Sequence, residues 1–165
     1  MSQAPEPSIV IKQLLAEELA ALRNFVDILA KEQDALKAGG ADRLPEISQS
    51  KIELASKLSS ILRQRESALA ALGFGPGKIG MASWLDELDA ASKLPFAASW
   101  AQLLTLAETC QREHALNGKL IAIQLVQTQQ ALTALTAASG LTLTYGPDGQ
   151  QSQPRIGGGR TLGSA

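Results

Sequence analysis

Aromatic residues are scarce: two Trp, one Tyr and three Phe make up only 4 % of the 165 residues. A core here has to come from Leu, Ile, Val and Ala. A β-sandwich or barrel, which draws on aromatic and β-branched strands, is therefore disfavoured. One cysteine, Cys110, excludes an intrachain disulfide framework, and one histidine, His114, leaves a structural zinc site short of ligands. An excess of either charge is missing too. Fifteen basic residues against sixteen acidic ones give −1, with no basic block, so no nucleic-acid partner is expected. Near the start only Ile9-Val10-Ile11 form an apolar run. A signal peptide needs about 7–15 apolar residues and a membrane span about 20. The expectation is a cytoplasmic protein with no membrane insertion.

What is present is heptad periodicity. Leu15, Leu19, Leu22, Val26, Leu29 and Leu36 advance by fours and threes, with Gln33 at the skipped position, which predicts a helix over 8–38. Ser8 stands as its N-cap and Gly39-Gly40 as its stop. A second helix, over 43–72, opens on Asp42 as cap and tolerates Pro45 in its first turn. Its stripe runs Leu44, Ile47, Lys51, Leu54, Leu58, Ile61, Arg65, Ala68, Leu72, and Gly73 ends it. So short a connection makes the two antiparallel. Lys51 and Arg65 interrupt the seam. The simpler reading has their stems along apolar surface and their heads in water; the sharper one makes them register-setting residues.

Residues 73–95 form a hinge, with a short helix from Ser83 through Trp84, Leu85 and Leu88 to a stop at Pro95. A third long helix follows over 97–138. Trp100, Leu103, Leu104 and Ala107 begin its apolar face, and Leu116, Leu120, Ile123, Leu132 and Leu135 continue it. The fold class is all-α: a long antiparallel hairpin plus a third long helix, an elongated three-helix bundle or coiled coil. Residues 1–140 form the helical domain and 141–165 a flexible tail. Half of the fourteen glycines fall from Gly140 onward, and beyond Gly146 too few apolar residues remain to offset ordering entropy.

Catalytic chemistry is not legible. Gly75-Pro76-Gly77-Lys78-Ile79-Gly80 matches a dinucleotide fingerprint, but a helix precedes it where a strand is required. Cys110 and His114 share a helical face without further ligands or an oxyanion hole. Acidic pairs such as Glu17-Glu18 and Asp86-Glu87 read as solvated faces. The reading is no enzyme and no cofactor. Two features remain. Asn117-Gly118 sits inside the third helix, where a packing notch is the simplest account. Tyr145-Gly146-Pro147-Asp148-Gly149-Gln150 sets the only tyrosine on a tight turn, a natural binding anchor.

These residues give the chain a resemblance to the FlgN-family flagellar export chaperones, cytosolic escorts of the hook-associated proteins. The resemblance covers nearly the whole length. It is most specific at Asn117, Gly118, Leu120 and Ile121, then at Tyr145, Gly146, Asp148, Gly149 and Gln150, and at the basic-glycine ending with Arg160. Thr144 stands where the family has Leu before the tyrosine, and His114 where it often has Asn. The resemblance implies that these ten residues contact partners: the C-terminal helical segments of hook-associated proteins, and components of the export gate or its ATPase. It implies a chaperone that blocks premature assembly and delivers cargo, with Tyr145 on the gate. The alternative is a structural or adaptor helical bundle with no secretion role.

Overall fold

The computed structural model describes residues 7–138. Its helices are α1 (Pro7–Ala38), α2 (Leu44–Ala71), α3 (Gly77–Glu87) and α4 (Ala90–Ala138), with a 3-10 turn at Ala41–Arg43 and no strand among the described residues. The all-α hairpin with a third long helix is the observed fold. The chain forms two compact units, residues 1–122 and 123–165. The first holds α1, α2, α3 and α4 as far as Ala122.

The ends of the hairpin helices follow from glycine. Gly39 takes φ +68°, and the Gly40 N–H donates to the Ala35 carbonyl at 2.9 Å. Gly73 takes φ +86°, and the Phe74 N–H donates to the Leu69 carbonyl at 3.0 Å. In both, a left-handed residue lets the chain fold back on orphaned carbonyls, a conformation that β-carbons resist. Asp42, expected as the cap of α2, lies instead in the 3-10 turn. Arg43 precedes the helix without a side-chain cap, and Pro45 sits in its first turn.

The largest departure concerns charge. Arg65 does not reach for water, and the half-buried Lys51 turns to an acid. Arg65 is 2 % exposed, and its Nε donates to Glu18 Oε2 at 2.9 Å. Lys51 Nζ lies 2.8 Å from Glu32 Oε1 and 2.9 Å from Oε2. Glu18 and Glu32 are themselves buried, so Glu18 is not the solvated acid the sequence suggested. Glu18 stands fourteen residues before Glu32, and Lys51 fourteen before Arg65. Two heptads separate the two acids and the two bases, so antiparallel helices match both pairs in one register. Sliding by one heptad would leave three buried charges, Glu18, Glu32 and Arg65, and the half-buried Lys51 without partners, costing several kcal/mol per buried ion. This pairing favours the register-setting reading over the snorkelling one.

Between the long helices the boundaries shift. The short helix α3 begins at Gly77, not Ser83, and ends before Leu88, whose backbone is extended. Glu66 explains the start: its Oε2 accepts the Gly77 N–H at 2.8 Å, placing a carboxylate at the helix N-terminus. The glycine string has a packing cause as well. Gly77 takes φ +70°, and a β-carbon on Gly80 would overlap the Gly75 carbonyl oxygen. Gly80→Ala should therefore destabilise the fold by about 2–3 kcal/mol, read by urea unfolding, because a backbone atom has to move. A cost under about 0.5 kcal/mol, the range of a neutral surface change, would show that the loop yields freely.

The third long helix starts at Ala90 rather than 97 and continues through Pro95. Asp89 initiates it, its Oδ1 accepting the Ala91 and Ser92 N–H groups at 3.0 Å. Hydrogen bonds from Ser92, side chain and then backbone, hold the Asp89 carboxyl below its ordinary range. Proline in a helix interior forfeits one backbone bond. Next to it, Phe96 meets Trp84 edge to face at 4.9 Å, fastening this turn to α3.

The main core joins all four helices: Ile11, Leu15, Leu22 and Leu29 from α1, Leu69 from α2, Met81 and Trp84 from α3, and Trp100, Leu103 and Cys110 from α4. Each large aliphatic side chain buried there contributes roughly 1.5–3 kcal/mol. A smaller cluster of Leu14, Ala21 and Ile61 closes the α1–α2 seam.

Candidate partner-binding site

Helix α4 carries the Asn-Gly motif and the longest exposed apolar stretch. Asn117 lies within the bundle. It is 1 % exposed, and its Nδ2 donates to the Leu29 carbonyl at 2.8 Å and to Glu32 Oε2 at 2.9 Å. The side chain expected at a partner contact is thus turned inward in the free chain. Gly118 faces outward: a β-carbon at this position would meet nothing within 4 Å, so it is not the packing notch expected of it. Leu120 is half-buried, while Leu116 and Ile121 are 41 % and 47 % exposed. The four motif residues therefore divide: Asn117 inward, Leu120 at the margin, Gly118 and Ile121 on the surface.

In the second unit the described residues are 123–138 of α4. Ile123, Leu125, Val126, Leu132 and Leu135 are all at least half exposed, between 50 % and 67 %. Leu125, Leu132 and Leu135, with Thr128, advance by three, four and three residues, a heptad stripe along one face. No residue from Leu120 to Ala138 is charged. Surface helices ordinarily set charged residues opposite an apolar stripe, so an exposed stripe on an uncharged helix marks an interaction surface. The sequence pattern places Leu132 and Leu135 on the apolar face but does not single out Leu125. The missing charge is the signal that could have delimited the segment. No described helix is long and apolar enough to cross a membrane.

The other candidates are structural. Cys110 is buried, with its thiol 3.8 Å from the Leu22 carbonyl, and burial pushes the thiol pKa up. His114, one turn on, is exposed, so the two side chains do not converge. Among the described residues no three His, Cys, Asp or Glu side chains are grouped to hold a metal. A shallow groove of about 450 Å³ between α1 and α2 is rimmed by Asp27, Lys31, Glu53 and Lys57, charges of both signs. Tyr145, Gly146, Asp148, Gly149, Gln150 and Arg160 lie outside the described residues, as does the alternating Leu141–Tyr145 stretch.

None of the curated proteins matches the sequence. The crystal structure of a flagella synthesis protein FlgN from Pseudomonas aeruginosa is similar in fold, with a TM-score of 0.62 at 23 % identity. The likeness covers 73 % of this chain and 90 % of that one. The family model described as FlgN protein matches residues 9–153, which takes in the charged hairpin, the Asn117-Gly118 turn of α4 and the tyrosine motif beyond it; the chain belongs to the FlgN family.

Proposed function

We propose that this protein is a cytoplasmic chaperone of the flagellar type III export pathway that works by binding, without turnover. It holds the C-terminal helical segments of hook-associated proteins, prevents their premature assembly and delivers them to the export gate. The observation that carries this reading is the exposed, uncharged stripe Leu125–Thr128–Leu132–Leu135. A cargo helix that would otherwise self-associate can lay its apolar face along such a stripe. Family membership supports the flagellar setting. In this reading residues 1–140 form the helical chaperone domain. Residues 141–165, with Tyr145, Gly146, Asp148, Gly149, Gln150 and Arg160, form a tail that engages the gate or its ATPase.

The test is paired binding with the full chain, against hook-associated proteins and against the cytosolic domain of the gate. Tyr145→Ala should keep cargo affinity and melting temperature while weakening gate binding roughly 30- to 1000-fold, the effect of losing a buried aromatic anchor of about 2–4 kcal/mol. Failure of the wild-type chain to bind any hook-associated protein would instead favour a structural or adaptor bundle.

A further inference from the structure

In the free chain Asn117 makes its contacts inside the bundle. Between Leu103 and Asn117 the one buried residue of α4 is the small Cys110, with Leu104, Leu106 and Ala107 partly buried beside it. Apolar contacts of this kind are non-directional and can re-form one heptad away, so they say less than polar ones about where α4 stops along α1. The polar contacts do say. Cys110 meets the Leu22 carbonyl and Asn117 meets the Leu29 carbonyl, so seven residues on α4 match seven on α1 and the helices run parallel in step.

Asn117 also donates to Glu32, whose carboxylate already accepts Lys51. One buried carboxylate thus ties together three helices. The arrangement is not optimal for stability: Asn117 Oδ1 is buried without a hydrogen-bond partner. A leucine here would bury no unpaired oxygen, but it would also accept any neighbour. A lone buried asparagine in a coiled-coil seam commonly trades stability for a single register.

We infer that Asn117 is the register lock of α4, a positioning residue that fixes which residues of the helix are buried and which, such as Gly118 and Ile121, face out. The inference does not depend on the chaperone reading. Its motif partner Gly118 is then the first outward residue after the lock. The buried carboxylate is what makes the lock selective, since the amide can donate to Glu32 at only one axial position. The Trp100 ring over the Arg65 guanidinium, 5.0 Å away, is the competing anchor at the other charged layer.

The test uses the full chain with Cys110→Ala and spin labels at the exposed positions Ala20 and Ala115, read by pulsed electron resonance beside a thermal melt. The parent should give one narrow distance. Asn117→Leu should melt at the same or a higher temperature, yet add a second distance population displaced along the helix by one heptad, about 10 Å. Trp100→Leu combined with Asn117→Leu should enlarge that population. A single unchanged distance in Asn117→Leu, whether its melt falls or not, would overturn the assignment. A shift appearing only in the combined variant would give the register to Trp100 and overturn it equally.

Discussion

Arg65→Ala should destabilise the protein by about 3–5 kcal/mol, more than truncating most surface or seam residues, because it strands the buried Glu18 carboxylate. The Arg65 side chain is 3 % exposed, and its guanidinium serves three neighbours. Its Nε binds Glu18 at 2.9 Å, its Nη1 lies 3.3 Å from Glu66 without hydrogen-bond geometry, and its plane covers Trp100. Removing it takes away an ion pair, an aromatic contact and a volume of packed chain together. Replacing both partners, as Glu18→Leu with Arg65→Met, should recover most of that loss or exceed it, since no charge is then left in the interior. Urea unfolding of the two variants decides the matter. A cost below about 1 kcal/mol for Arg65→Ala would mean that the pair behaves like an exposed salt bridge.

The second large effect concerns binding and leaves stability alone. Leu125→Gln with Leu132→Gln should weaken capture of a hook-associated protein by roughly two to four orders of magnitude. Each leucine covered by a partner helix contributes about 1.5–3 kcal/mol, and the two together set that range. Both side chains are well exposed in the free chain, at 59 % and 61 %, so the melt should stay close to the parent's. Glutamine keeps helix propensity near that of leucine, which removes unwinding as an explanation. Capture should also be nearly indifferent to salt, because nothing between Leu120 and Ala138 carries a charge for ions to screen. Undiminished capture by the double variant, measured by calorimetry, would remove this face from the cargo site.

Much of the fold was legible because heptad spacing and glycine stops are local signals. The hairpin, its turn at Gly39-Gly40 and the end of α2 at Gly73 all follow from them. The charged layers were not, since a lysine or an arginine in a seam looks alike whether it snorkels or meets a buried acid. Glu18 sits beside Glu17 and Glu32 beside Gln33, so neither stands out until the two helices are laid antiparallel and both spacings of fourteen coincide. The start of α4 was hidden by Pro95, whose breaking tendency is a local rule overridden by the Asp89 cap and the Phe96–Trp84 contact. At the candidate site, the sequence pointed to Asn117 and Gly118 but could not assign a direction to either position. That depends on where Leu29 and Glu32 arrive from a helix far away in the chain.

The matched spacing of the two charged layers has a consequence for how such a chain can change length. Residues gained or lost in the turn around Gly39–Arg43 leave both ion pairs intact, because each helix carries its layers with it. A residue gained between Glu18 and Glu32, or between Lys51 and Arg65, moves one charge about a third of a turn around its helix and out of reach of its partner. Only an equal change on the facing helix restores both pairs. The hairpin is therefore open to insertion at its tip and closed to it along its shaft, so length variation among related chains should concentrate at the turn.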